Sequence, residues 1–304
     1  MGSTRTSAGA YASYAKSTAH HTAASYTTRS LLPEFDPKLI KVRESVKSAA
    51  NPHPTPVIVA IDVTGSMGYL AEACRKGLGT LFLETYKRKP VSDPHMMAMA
   101  LDDMEVVPEA LQVTQFEADA VVLGTQIEKL YLVGCGGGNG YESYLGPLYF
   151  ALTKTKCDAF SEKPARKGFI FTVGDEPPQP VLTGQQIKDF FGDGDSGDIQ
   201  AAALIKRIEQ NWHYYHLIVE EGSHARQYPY QVRDGWAALL GQNVIPLKDH
   251  TKMAEVIISL LEVVAGRDKD AVAASWDGST ALTVKHAISG LTVGAAAGTG
   301  PVAL

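Results

Sequence analysis

Between residues 57 and 264 the chain alternates two kinds of apolar pattern. Val57-Ile-Val-Ala-Ile61 and Gly168-Phe-Ile-Phe-Thr-Val173 are short runs with almost no polar position, as a strand buried on both faces requires. Residues 96–101, 111–116, 213–219 and 243–247 read as further strands. Between them stand stretches with helical spacing at 70–86, 144–156, 185–191, 199–210, 233–240 and 253–264. The last carries Met253, Val256, Ile257, Leu260, Leu261 and Val264 on one stripe. The pattern of 121–132 fits a helix or a strand. Strands alternating with helices predict an α/β fold with a mainly parallel sheet covered on both faces.

The flanks differ. Residues 1–55 begin with a segment rich in Ala, Ser, Thr and Tyr that lacks any sustained period of large aliphatics, and they end in Asn51-Pro-His-Pro-Thr-Pro56, a stiff extended linker. They are expected to form an N-terminal arm. Tyr11, Tyr14 and Tyr26 suit it to lie on a neighbouring subunit, giving a homo- or hetero-oligomer, because tyrosine buries area at low entropy cost. The domain itself is expected over 56–266, with a helical extension and low-complexity tail over 267–304.

Composition narrows the class. Of 304 residues, 45% are hydrophobic and 20% charged, the balance of a globular protein able to bury a sizeable core. A net charge of -5 disfavours a general nucleic-acid binder, and no apolar run reaches the length of a membrane span. Residues 1–26 hold no apolar core of a secretory signal, and Cys74, Cys135 and Cys157 have no metal-ligand spacing. The expectation is reduced thiols and a cytoplasmic protein, or one in a particle assembled in the cytoplasm.

Candidate chemistry collects where strands end, the edge at which open α/β sheets bind ligands. Asp62-Val-Thr64-Gly-Ser66 follows the first buried strand and spaces one carboxylate and two hydroxyls by two residues. Gly174-Asp175-Glu-Pro-Pro follows another, and a glycine-rich loop around Asn139 and Glu142 supplies a third group of oxygens. Hard oxygen donors with few full charges suit Mg²⁺, and Mn²⁺ or Ca²⁺ accept the same set.

In these residues the chain resembles the von Willebrand factor A-type domain. Asp62-x-Thr64-Gly-Ser66 is similar to that family's metal-ion-dependent adhesion motif, with threonine in place of its first serine. Val173-Gly-Asp175-Glu-Pro-Pro is similar to its third loop. The resemblance spans roughly residues 55–265. It implies a three-layer, doubly wound, Rossmann-like sheet and metal ligands Asp62, Thr64, Ser66 and Asp175. Asn139 or Glu142 stands where the family usually places a threonine. It also implies an open coordination position that captures a carboxylate from a partner protein, so the metal binds and does not catalyse. The glycine-rich second loop and the polar arm look more like prokaryotic or phage-encoded members, which implies a scaffold or virion component.

Rival readings follow from the same residues. Asp62-Val-Thr64-Gly-Ser66 also resembles the loop of haloacid dehalogenase-like phosphatases. There Asp62 would be a covalent nucleophile, with Asp175 or the Asp193/Asp195 pair on Mg²⁺. Against that stand Met67-Gly68 and the absence of a convincing catalytic lysine motif. Residues 134–140 match a dinucleotide-binding glycine pattern poorly. The Asp193–Asp198 stretch lacks the bidentate glutamate of a calcium loop, so Asp198 is expected to cap the next helix. His213 and His216 are expected to be packed core histidines.

Overall fold

The computed structural model describes residues 30–131, 134, 138–194 and 196–292, together with residues 9 and 13. It is a mixed α/β structure with a central six-stranded sheet and, among the described residues, ten α-helices. The sheet is built from β2 (Thr55–Asp62), β3 (Pro94–Leu101), β4 (Leu111–Val113), β6 (Gly168–Gly174), β9 (Trp212–Val219) and β10 (Val244–Leu247). Their spatial order is β10-β9-β6-β2-β3-β4, parallel throughout except for the short antiparallel edge strand β4. The chain builds outward from β2 in one direction through β3 and β4, then in the other through β6, β9 and β10. Strand order therefore reverses between β2 and β6, at the centre of the sheet.

Every residue of β2 is buried, which explains its unbroken apolar sequence. Its side chains alternate between two cores. Val57, Val59 and Ile61 join Leu70, Cys74, Leu78 and Leu81 of α1 (Tyr69–Arg88) and Ile257, Leu260 and Leu261 of α8 (Met253–Val264). Ile58 and Ala60 join α3 (Leu145–Thr153), α5 (Ala201–Ile208) and α7 (Pro229–Leu240) on the other side. The ambiguous stretch at 121–132 is a helix, α2 (Ala120–Glu128). Asp119 caps it by accepting from the amides of Val121 and Val122.

Two short sheets complete the fold: β1 (Arg43–Ser45) pairs in parallel with β5 (Thr155–Cys157), and β7 (Val181–Leu182) pairs antiparallel with β8 (Ile199–Gln200). The first pair ties residues 43–45, within the stretch expected as arm and linker, to the rest of the fold. Phe35 and Ile40 are core residues, and Arg43 donates to the carbonyls of Glu34 and Val113. The Lys154 ammonium, itself buried, donates to the carbonyls of Pro37, Ile40 and Phe191. No periodicity marks residues 31–45, because they adopt no long element and fill the space beside the β4 edge. Tyr11, Tyr14 and Tyr26, the tyrosines on which the oligomer expectation for the arm rests, lie outside the described residues.

At the other flank, α9 (Lys269–Ala274) and α10 (Gly278–Ile288) place Val272, Ala273, Val284, Ala287 and Ile288 in the same core as α8. Arg88 of α1 lies 3.5 Å over the Trp276 ring. The low-complexity tail lies outside the described residues from residue 293 onward. Asp198 caps a different helix from the one expected: its carboxylate accepts from Gly184 at the start of α4 (Gly184–Phe191), whereas α5 begins without a side-chain cap. Cys74 and Cys157 are free and buried, and no helix among the described residues is long and apolar enough to cross a membrane.

Candidate functional site

The reversal of strand order brings the carboxyl ends of β2 and β6 side by side, and a chain of hydrogen bonds joins the two loops that leave them. Asp62 is the last residue of β2. Its Oδ1 accepts from the Thr64 amide at 2.9 Å and from the Thr64 hydroxyl at 2.6 Å. Thr64 Oγ1 lies 3.0 Å from Ser66 Oγ, which donates to Asp175 Oδ1 at 2.7 Å. Asp175 follows β6 directly, so four oxygen-bearing side chains from two separate stretches of backbone meet at one rim. Asp62 and Asp175 are fully buried beneath the hydroxyls, while Ser66 is half-buried and Gly65 is exposed.

Further contacts fix this arrangement. The Tyr144 phenol donates to Asp62 Oδ2 at 2.9 Å from the N-cap position of α3. The first turn of α6 (Ser223–Gln227) supplies the His224 amide to Asp175 Oδ2 at 2.9 Å. Its Ser223 amide and hydroxyl bind the Ser66 carbonyl. Two glycines are required by close approach. A Cβ on Gly174 would stand 2.0 Å from the Tyr144 oxygen and 2.8 Å from Asp62, and one on Gly222 would stand 2.2 Å from Asp175 Cβ.

The second loop supplies its two candidates in different ways. The Asn139 amide is turned away from Asp62 and Asp175; it donates to Asp103 Oδ2 at 3.0 Å and Glu105 Oε2 at 3.1 Å. Glu142 is 1% exposed, and its Oε2 has no hydrogen-bond partner among the described residues. Its backbone is tied to the third loop through the Pro177 carbonyl and the Gln179 amide.

Sequence reasoning passed over Tyr144, Glu176 and the pair Asp102-Asp103. The last three had a readable signal, since Asp102 and Asp103 follow β3 and Glu176 follows Asp175, the same edge that singled out Asp62. Tyr144 had none, because its role depends on where α3 docks. Trp236, which stacks on His216 at 3.7 Å, donates to the Glu176 carbonyl and braces the third loop from below. His216 is a buried core histidine bonded to Thr172, as expected.

Electrostatically the rim is crowded with acids. Burial, reinforced by the negative charge of Asp175, pushes the Asp62 carboxyl up to about 8. Burial first, then Asp62, Glu176, Asp103 and Asp102, push Glu142 up to about 11, and Glu176 is raised to about 7 by burial and by Asp175. Asp62, Glu142 and Asp175 form no ion pair with a lysine or arginine among the described residues. Carboxylates and hydroxyls converging with no lysine or arginine paired to Asp62, Glu142 or Asp175 among the described residues, and with His224 3.6 Å from Glu176, make a donor set suited to a hard divalent cation. Behind Gly222, Glu221, Asp249 and His250 form a second group whose ligand atoms lie within 4.8 Å of one another.

No family model and no curated protein matches the chain. Among solved structures it is similar to the pilus adhesin SpaC from Lactobacillus rhamnosus GG in its open conformation (9% identity, TM-score 0.46, 77% of this chain and 31% of that one). It is also similar to the conserved hypothetical protein BatB from Bacteroides thetaiotaomicron (14%, TM-score 0.32, 54% and 66%). A third is proximal thread matrix protein 1 from the mussel byssus (9%, TM-score 0.41, 69% and 46%). The chain spans about a third of the length of SpaC. Overlaps this partial between sequences this divergent transfer neither activity nor partner.

Proposed function

We propose that this chain is a metal-dependent protein-interaction module. In this reading Asp62, Thr64, Ser66 and Asp175 hold Mg²⁺, or Mn²⁺ or Ca²⁺ in its place, and the ion captures an acidic side chain of a partner protein. The observation that carries it is the hydrogen-bonded sequence Asp62–Thr64–Ser66–Asp175 at the central strand reversal, with both carboxylates buried and the serine reaching solvent. The same arrangement underlies the finer reading of a doubly wound von Willebrand A-type domain with an adhesion-type metal site. The scaffold or virion role rests on the sequence resemblance alone.

The ion would supply attraction for an anion in a rim shielded from bulk water, where Coulomb interactions are stronger. The chain's own part is to hold the hydroxyls and carboxylates in place. Two buried aspartates behind two hydroxyls leave the outward side of such an ion to an incoming ligand. The phosphatase alternative is less well supported. Asp62 is fully buried and both of its oxygens are engaged by Thr64 and Tyr144, which leaves neither free to attack a phosphate. Asp193, offered there as a metal ligand, accepts from Tyr149 instead.

Calorimetric titration of the full chain with MgCl₂ tests the reading, against a variant carrying Asp62→Ala and Ser66→Ala. Saturable binding in the parent and none in the variant is expected. Equal affinity in both would end it. A generic phosphatase substrate should show no turnover with or without Mg²⁺.

A further inference from the structure

We propose that a groove beside the rim binds an acidic stretch of the partner protein that also carries apolar side chains. This inference rests on the reading of the rim given above and extends it to the partner's chemistry. The groove, of about 700 Å³, lies between α7, the edge strand β10 and the α6 turn, and His286 of α10 also lines it. Two patterns leave it open. Pro229, Arg233, Ala237 and Gly241 recur at every fourth position, so one stripe of α7 and its C-cap faces the groove, and all four are exposed. β10 alternates: Ile245 and Leu247 are buried in the core with α8, while Val244 and Pro246 turn to the groove and stay half-buried. Ala225 and Ile218, which pairs with Pro246, are buried at its floor.

Charge complementarity names the occupant. Arg226, Arg233 and Lys248 bring three permanent cations to the groove against one acid, Glu220, in a chain whose net charge is -5. Arg226 and Lys248 form no ion pair among the described residues. Arg233 has Asp234 at 4.0 Å, an exposed contact that holds it weakly. Cations around an apolar floor fit a segment bearing both acids and apolar side chains. An extended peptide that alternates the two sends one set to the floor and the other to the cations. The α6 turn ties this groove to the rim: Ser223 and His224 hold Ser66 and Asp175, and the next two residues, Ala225 and Arg226, line the groove. A partner that gives one carboxylate to the rim therefore brings its neighbouring residues to the cations within about one helical turn.

Fluorescence anisotropy of a dye-labelled peptide of alternating glutamate and leucine, titrated with the full chain in MgCl₂ and in EDTA, tests this. The parent should bind it. Arg226→Gln with Arg233→Gln should weaken binding about tenfold or more in either buffer and leave the calorimetric Mg²⁺ affinity unchanged. Ala237→Trp, which fills the groove and keeps every charge, should weaken it similarly, and circular dichroism checks that both variants fold. A loss in these variants that persists in EDTA supports the groove even where no ion binds, so groove and rim fail separately. Parental affinity in both variants overturns the groove; if that binding disappears in EDTA, the rim reading stands alone. Equal binding of a peptide of alternating lysine and leucine overturns it as apolar adhesion without charge recognition. No binding of the glutamate peptide also overturns it, and sedimentation with vesicles of anionic phospholipid in that case would assign the cations to a membrane surface.

Discussion

The Tyr144 hydroxyl donates to Asp62 Oδ2 at 2.9 Å, a bond buried on both sides. It connects the first turn of α3 to the end of the central strand and aims the opposite oxygen, Oδ1, at Thr64. Tyr144→Phe keeps the ring, which packs edge-on to His216 and Trp236, and removes only the donor. A buried carboxylate that loses a hydrogen bond loses about 1–2 kcal/mol. The expected result is Mg²⁺ binding weakened about tenfold with an unchanged circular dichroism spectrum. Calorimetry that finds parent affinity would show that Tyr144 does not hold Asp62.

Asp62→Asn should have opposite effects on stability and binding. Burial and Asp175 oppose ionisation of Asp62, so the metal-free fold keeps a proton there that the unfolded chain has released at neutral pH. Each unit of pKa displacement is about 1.4 kcal/mol, so the neutral amide should stabilise the metal-free protein by on the order of a few kcal/mol. The variant should melt higher than the parent in EDTA and gain nothing from MgCl₂, as measured by calorimetric melting.

The same acids set the pH dependence. Glu176 and Asp62 are raised to about 7 and about 8, so their protonated forms stabilise the metal-free fold fully below the ordinary carboxylate range. That contribution is lost as pH rises through those values, because the folded chain binds more protons than the unfolded one over the interval. Melting in EDTA should therefore shift down steadily from about pH 5 to about pH 8. Millimolar MgCl₂ should flatten the curve, since the cation displaces the protons and binds more tightly as pH rises. An identical slope with and without the ion would contradict a shared site.

Gly222 and Gly174 should be intolerant of even one methyl group. A Cβ at Gly222 overlaps Asp175 and one at Gly174 overlaps Tyr144 and Asp62, whereas one at Gly290 meets nothing within 4 Å. Gly222→Ala and Gly174→Ala should each cost about 1–3 kcal/mol and weaken Mg²⁺ binding, because the atoms displaced are the ligands or their support. Gly290→Ala should leave binding unchanged.

Lys154→Met should loosen the segment before β2. The ammonium group serves three carbonyls, from Pro37, Ile40 and Phe191, and an apolar side chain leaves them unsatisfied in a buried setting. A loss of about 2–4 kcal/mol is expected, with early cleavage in residues 31–45 on limited proteolysis. Cleavage first elsewhere would count against the clamp.

Much of the sheet was legible because its strands are buried on both faces. Val57 to Ile61 must be apolar at every position, and the helix at 253–264 carries its stripe without interruption. Asp62, Thr64, Ser66 and Asp175 could be read for a related reason: each lies just past a strand whose end was already located. What escaped depended on tertiary contact. β1 and β5 are three residues each and exist only because they pair with each other. The Glu34–Arg43 and Lys154–Pro37 contacts have no local signature. Tyr144 looks like any helix-start aromatic until α3 is docked. Position along the chain left Asn139 and Glu142 as alternatives, and only the packing separates them, one turned to Asp103 and the other buried beside Asp62.

The rim hangs from the ends of the two innermost strands, and that has a mechanical consequence. β2 and β6 are each bonded to neighbours along both edges, and Asp62 and Asp175 lie at or just past their final residues. A tug along the strand direction at this rim loads the flanking ladders in shear, so many bonds must give way together instead of peeling one at a time. Any grip made there is anchored in two strands paired along both edges, and strain would reach the α6 turn that holds Ser66 and Asp175 before it reaches the sheet.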